Sequence, residues 1–332
     1  MKRIRIGVIG LGRMGQSHCR IYANLRRIQF VGVYDSNPTA ADEIAKLYDV
    51  PIFESVSQLL EQVDAVSIAT PTQTHFDLVM KSLQHGVHVL VEKPITESLG
   101  EAEELAAVSK QSDLVVQVGF IERFNPTYQE LRNVLEGLSL LAINFRRLSP
   151  YRGSNRDVDV VLDLMIHDLD LMLDLVYGEI SSLYACGLAP FGSALDHVVA
   201  QCWYDSDQLV TLTASRVTEQ KIRSIEITTR EAYIEADLLN KKISVFRGSM
   251  GEYLNHNKSG VKYRQESIIE QILVPSIEPL LAEIQSFVEC VTSHTIPCAS
   301  VESGINALRL AYMIREMVER QNARQLGSPQ GI

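Results

Sequence analysis

Three groups of residues in this sequence have the types and spacing to do chemistry. The first is Gly10-Leu11-Gly12-Arg13-Met14-Gly15, directly after the apolar run Arg3 to Ile9. In a G-x-G-x-x-G run of this kind the first glycine permits a tight turn and the second lets backbone approach a pyrophosphate. The third lets the following helix pack on the strand, with its N-terminal amides facing the phosphates. Asp35 follows Gly15 by 20 residues, at the end of the strand-like Phe30 to Tyr34, where a carboxylate can bond the adenosine ribose. An acid there repels a 2′-phosphate, and Ser36, Asn37 and Pro38 supply no cation, so the expected cofactor is NAD rather than NADP.

The second group is a helical stripe. Asp163, His167, Asp170 and Asp174 recur at spacings of four, three and four within a largely apolar segment, Val158 to Tyr177, in which the remaining acids are Asp159 near its start and Asp168. A solvated face is the ordinary reading of such a stripe. Solvated faces are wider, however, and carry Lys, Glu and Arg, which this segment lacks. The stripe is therefore expected to line a cleft, with Asp163 and His167 as a carboxylate–imidazole pair suited to general base work. It has a single histidine, and hydride chemistry needs no metal, so no metal site is expected. The third group is Val91-Glu92-Lys93-Pro94, where Lys93 closes a strand at the carboxyl edge that binds ligands in open α/β sheets.

The elements that must position these groups follow from hydrophobic period. Up to about Gly119, short β-rich runs (Arg3 to Ile9, Phe30 to Tyr34, Ala65 to Ala69, Val87 to Val91, Leu114 to Val118) alternate with helical patterns. That alternation indicates parallel strands joined by crossover helices. After Gly119 come helices from Pro126 and Val158 and a strand from Leu140 to Leu148. Strand patterns then crowd together between Ser181 and Phe246, and two helices follow from Pro279 and Val301. The fold class expected is α/β: an N-terminal Rossmann doubly wound parallel sheet, 1–120, and a C-terminal α+β domain with an open, largely antiparallel sheet, 121–324. A flexible tail is expected over 325–332.

Composition narrows the class further. The chain has 332 residues, of which 46% are hydrophobic and 22% charged, enough apolar content for two cores. A formal charge of -10 argues against a nucleic-acid partner. No uncharged apolar stretch approaches the ~18 residues a membrane helix needs, and Arg13 interrupts the apolar start before any cleavage site, so a cytoplasmic chain is expected. Cys19, Cys186, Cys202, Cys290 and Cys298 form no C-x-x-C pair and are expected as buried small hydrophobes.

Taken together, the glycine run, Ala69-Thr70-Pro71-Thr72-Gln73-Thr74-His75, Glu92-Lys93-Pro94 and Asp163-Leu164-Met165-Ile166-His167-Asp168 resemble the Gfo/Idh/MocA oxidoreductase family over essentially the whole chain. The resemblance implies that Thr70, Pro71, His75, Glu92 and Lys93 frame the nicotinamide end. It also implies a cis bond before Pro94 and a catalytic group of Lys93, Asp163 and His167. His167 would take the hydroxyl proton, Asp163 orient it and Lys93 hold the substrate oxygen, with the base being either His167 or Lys93. A homodimer or homotetramer, packed through the open sheet, is implied as well.

The substrate is read from Arg123 and Asn125, an Arg-x-Asn pair in the segment that meets substrate in this family. Arg146, Arg147, Arg152 and Arg156 supply a second signal, four arginines within eleven residues that contain no acid. Against a solvated loop, they are read as an anion-binding rim, because the arginine fork suits diphosphate and carboxylate. A nucleotide-sugar is therefore expected, and the chain resembles the UDP-N-acetylglucosamine 3-dehydrogenase branch. A free polyol or sugar dehydrogenase, such as one acting on inositol, and a non-catalytic NAD-responsive regulator are the alternatives.

Overall fold

The computed structural model describes residues 3–151, 158–253 and 262–327. In chain order its elements begin β1 (Ile4–Ile9), α1 (Arg13–Asn24), β2 (Ile28–Tyr34), α2 (Pro38–Tyr48), α3 (Val56–Leu60), β3 (Ala65–Ile68), α4 (His75–Gln84), β4 (His88–Glu92), α5 (Leu99–Lys110) and β5 (Val116–Gly119). They continue with α6 (Pro126–Leu135), β6 (Leu140–Leu148), a π-turn (Val161–Met165), α7 (Ile166–Leu175), β7 (Ile180–Leu188), β8 (His197–Tyr204) and β9 (Leu209–Ser215). The last are β10 (Ile222–Thr229), β11 (Tyr233–Asp237), β12 (Lys242–Tyr253), β13 (Lys262–Ile272), α8 (Pro279–Ser293) and α9 (Val301–Gly327). No helix among the described residues is long and apolar enough to cross a membrane.

The chain forms two compact units, one of Met1–Phe124 with Ile277–Arg309 and one of Asn125–Ser276 with Leu310–Ile332. This differs from the contiguous division at 120/121. The reason is α8, whose Leu280, Ile284, Phe287 and Val291 belong to the core of the parallel-sheet unit alongside Ile6, Val8, Tyr22 and Leu90. Its period marks it as amphipathic, but an apolar stripe does not say which sheet it will cover. The expected tail also starts too early, because α9 continues to Gly327; residues 328–332 lie outside the described residues.

In the first unit the strands are parallel in the order β2-β1-β3-β4-β5. Residues 51–53 add a stub beyond β2: Val33 N donates to Pro51 O and Phe53 N to Val33 O, each at 3.0 Å. Gly32 makes room for it, since a Cβ there would lie 2.5 Å from Pro51 O. Counting the stub, the order is that of a dinucleotide-binding sheet, and its switch point falls between β1 and β3. Helix starts are specified locally: Asn37 Oδ1 caps α2 at Thr39 N, with Pro38 at the first position, and Ser98 and Glu101 form a capping box on α5.

The second unit is an eight-stranded sheet, β13-β12-β11-β10-β6-β9-β8-β7, antiparallel except for the β6–β9 pair. Alternation sorts its faces. Val198, Ala200, Cys202 and Tyr204 are buried in one core with Leu169 and Met172 of α7 and Ile314 and Val318 of α9. On the other face Trp203 is 46% exposed, Tyr184 68% and Leu188 64%. Two expectations need correction. β13 carries no strand signal, because its Tyr263, Ile268, Ile269 and Ile272 follow no period of two among Lys, Arg, Gln and Glu, the charges being usual on an edge strand. Of the cysteines, Cys19, Cys202 and Cys290 are buried, but Cys186 and Cys298 are exposed.

Candidate cofactor cleft and catalytic helix

The carboxyl ends of the first unit's strands open into a cleft of about 1030 Å³. Gly10, Leu11, Gly12, Arg13, Met14, Asp35, Ser36, Thr70, Pro71 and Glu92 line it. Of the expected cofactor residues, Gly15, His75 and Lys93 are not in that lining. Val56, Asp77 and Leu78 are, and they carried no signal, because an isolated residue has no motif spacing.

Each glycine has its own reason. Gly10 has φ +87, and a Cβ on it would fall 2.7 Å from Ala69 O. A Cβ on Gly15 would fall 1.8 Å from Gly10 O, so the third glycine lets α1 close on the turn. Gly12 has nothing within 4 Å of its Cβ position and faces open space, as close approach by a pyrophosphate requires. It is also the N-cap of α1, and no side chain caps that helix. The residues present thus fit a dinucleotide.

Asp35 Oδ2 accepts from Leu11 N at 2.6 Å and Oδ1 from Asn37 N at 2.7 Å, so the acid ties the glycine turn to the start of α2. Each oxygen retains a second acceptor site for a ribose hydroxyl. His75 is 1% exposed. Its Nδ1 lies 2.8 Å from Pro94 O and its Nε2 2.9 Å from Thr70 O, bracing the β3 loop against the turn after β4. Burial lowers its pKa, against the pull of those carbonyls. Lys93 is half-buried, and the Lys93-Pro94 bond is cis.

In the second unit the expected long helix starts at residue 160 and opens with the π-turn that carries Asp163. Asp159 Oδ1 accepts from Val161 N at 2.9 Å and Leu162 N at 3.0 Å, while its Oδ2 lies 2.7 Å from Arg315 Nε. Arg216 Nη1 donates to Val158 O at 2.6 Å. The π-turn inserts one residue into the helical period, a feature often found at functional sites. It offsets the face before it from the face after it, so the stripe does not run unbroken. Asp163 and His167 are half-buried. Asp170 is 1% exposed, and Asp174 accepts the Tyr128 hydroxyl at 2.5 Å; these two sit in the packing of the unit rather than on a cleft wall.

Arg147 is another correction. Strand alternation turns it inward, where it is 2% exposed and donates to Asp168 through Nε at 2.9 Å and Nη2 at 2.6 Å. It is a buried ion pair, not part of a rim. Arg146, on the opposite face of β6, lies 3.7 Å from Glu226. Arg152 and Arg156 lie outside the described residues. Arg123 is buried and donates to Cys298 O at 3.2 Å. Asn125 Oδ1 caps α6 at Thr127 N, and its Nδ2 donates to Leu238 O at 3.3 Å.

Residues 4–120 match the family described as "Oxidoreductase family, NAD-binding Rossmann fold", and residues 144–235 match the GFO/IDH/MocA C-terminal domain. The chain belongs to the Gfo/Idh/MocA oxidoreductase family. It is 33% identical over 319 residues to a UDP-N-acetylglucosamine 3-dehydrogenase of Acidithiobacillus ferrooxidans, covering 96% of this chain and 98% of that one. A solved structure of that dehydrogenase superposes with a TM-score of 0.86 over 96% of this chain and 99% of the other. A scyllo-inositol 2-dehydrogenase (NAD(+)) of Bacillus subtilis is 26% identical, over 92% of this chain and 91% of the relative. The α/β fold, a Rossmann sheet followed by a mostly antiparallel one, is that of the Acidithiobacillus structure. As a member of this family, the chain is an oxidoreductase.

Proposed function

We propose that this enzyme oxidises a secondary sugar hydroxyl to a ketone with NAD, its substrate being a UDP-linked N-acetylhexosamine oxidised at C3. The observation that carries the reading is the full-length similarity to the UDP-N-acetylglucosamine 3-dehydrogenase, at 33% identity against 26% for the scyllo-inositol enzyme. The glycine turn and Asp35, with no cation on Ser36, Asn37 or Pro38, support NAD over NADP. Bound NAD supplies the hydride acceptor. Lys93 holds the reacting oxygen, His167 takes its proton, and Asp163 orients the imidazole. Arg152 and Arg156 remain candidates for the diphosphate, whereas Arg147 is removed from that role by its pairing with Asp168.

The test is NAD reduction measured in parallel against UDP-N-acetylglucosamine, UDP-N-acetylgalactosamine, the free sugars, and myo- and scyllo-inositol. The UDP-sugars should give the highest kcat/KM, and removal of the nucleotide should lower kcat as well as raise KM. An inositol or free sugar turned over more efficiently than either UDP-sugar overturns the substrate assignment. Tighter binding of NADP than NAD overturns the cofactor assignment. We also infer a closed homo-oligomer through the sheet face that bears Tyr184, Leu188 and Trp203, and a monomer in light scattering at micromolar concentration would contradict it.

A further inference from the structure

Beneath the cofactor cleft, α1, β3 and β4 are joined by a chain of polar groups that the glycine motif does not explain. His18 is 1% exposed. Its Nδ1 lies 3.1 Å from Ser67 Oγ and its Nε2 3.2 Å from Glu92 Oε1. Ser67 Oγ lies 2.6 Å from the Tyr22 hydroxyl. His18 and Tyr22 are one helical turn apart on α1 and so face β3 together, where Ser67 sits in a wholly buried strand.

Burial pushes the Tyr22 phenol far above its ordinary pKa, so it stays protonated in its hydrogen bond with Ser67 Oγ. Ser67 Oγ in turn is the hydrogen-bond partner of His18 Nδ1. Nε2 faces the Glu92 carboxylate, which can only accept, so Nε2 carries the N–H of that contact. On the other side of Glu92 is Gly119, its register partner on β5, where a Cβ would lie 3.0 Å from Oε2. The carboxylate is thus held between a histidine N–H and a position kept clear of side chain.

Sheet order says which part of the cofactor this concerns. Asp35 follows β2 and Glu92 ends β4, on opposite sides of the β1–β3 switch point, and both line the cleft. Three strand spacings separate them, about 14 Å. A dinucleotide with its adenosine ribose at Asp35 therefore reaches toward Glu92 with its other end. We propose that His18 is a positioning residue for the nicotinamide half of the cofactor. It fixes the Glu92 carboxylate on the cleft wall and steadies the strand end that presents Lys93. This rests on the reading of the cleft as an NAD site.

The experiment compares the affinities of NAD and of ADP-ribose, the same nucleotide without nicotinamide, in the wild type, His18→Leu, His18→Gln and Glu92→Gln. His18→Leu should weaken NAD about tenfold while ADP-ribose changes less than about twofold, the scale of one hydrogen bond to a charged group. His18→Gln, whose amide can still donate to Glu92, should restore most of the difference. The His18→Leu/Glu92→Gln double variant should be no worse than the weaker single one, because both remove the same contact. Should His18→Leu not fold, Ser67→Ala removes the partner of Nδ1 and should produce a smaller loss of the same selectivity. Equal weakening of both nucleotides, no change in either, or additive losses in the double variant would overturn the proposal. A wild type that binds neither nucleotide instead refutes the cofactor reading beneath it.

Discussion

The two units display their chemistry to different degrees. In the first, the cleft is made largely of backbone: a left-handed Gly10, the uncapped start of α1, and the ends of parallel strands. In the second, chemistry must come from side chains on one helix, and most of that helix's carboxylates do something else. Asp159 caps the π-turn and pairs with Arg315, Asp168 pairs with Arg147, and Asp174 accepts from Tyr128. The lesson is about competing demands. Three glycines at this spacing between a strand and a helix satisfy few needs other than a phosphate turn. An aspartate on a helix can cap, pair or catalyse, and spacing alone does not sort these roles.

The largest expected effect would test that sorting directly. His167→Ala, Asp163→Asn and Lys93→Met should each lower kcat by about 10²–10⁴-fold with NAD affinity little changed. Asp174→Ala, from the same expected stripe, should lower stability and leave kcat near wild type. If Asp174→Ala behaved like His167→Ala in steady-state kinetics, the division of the helix would be wrong. The next effect is on folding. Arg147→Met leaves Asp168 buried without its partner and should cost about 3–5 kcal/mol in urea denaturation, with most of it recovered by adding Asp168→Leu. A stable Arg147→Met protein with a raised KM for the nucleotide-sugar would return Arg147 to the substrate.

A third comparison lies within the glycine turn. Gly12→Ala has open space for its Cβ and should fold normally, yet bind NAD about tenfold or more weakly. Gly15→Ala puts a Cβ against Gly10 O and should lower Tm markedly. Equal Tm values for the two variants would contradict the roles given to these positions. The smallest effect is a pH dependence. His88 Nδ1 accepts from Val115 N at 2.9 Å, and burial, then His294, holds its pKa below the ordinary value. The unfolded chain therefore binds more protons between that lowered value and about 6.5, so stability is full above about pH 6.5 and falls as pH drops below it. His75 titrates in the same direction. His88→Asn keeps an acceptor for Val115 without titrating, and should flatten part of the acid limb in thermal melts; an unchanged slope would exclude His88 as its source.

Legibility followed the range of the interactions. The strands of the parallel sheet and the glycine turn rest on neighbours a few residues away, and period and spacing reported them well. β13 escaped notice because its few apolar residues, Tyr263, Ile268, Ile269 and Ile272, do not alternate. The π-turn escaped because residues 160–166 are apolar at every position but Asp163, so a one-residue shift of the period does not show. His18 escaped because its partners, Ser67 and Glu92, are 49 and 74 residues away.

The sequence by itself determined the alternation of strands and helices, the turn where phosphate can approach, and the acid that follows β2. These depend on backbone sterics and on periods of two and 3.6 residues, which are local properties of a chain. Tertiary structure alone decided that α8 covers the parallel sheet, that Arg147 faces Asp168, and that Asp159 caps while Asp168 and Asp174 pair. A charge's role is set by what lies within a few ångströms of it, because burial without a partner is costly. Those neighbours come from strands and helices that only folding brings together.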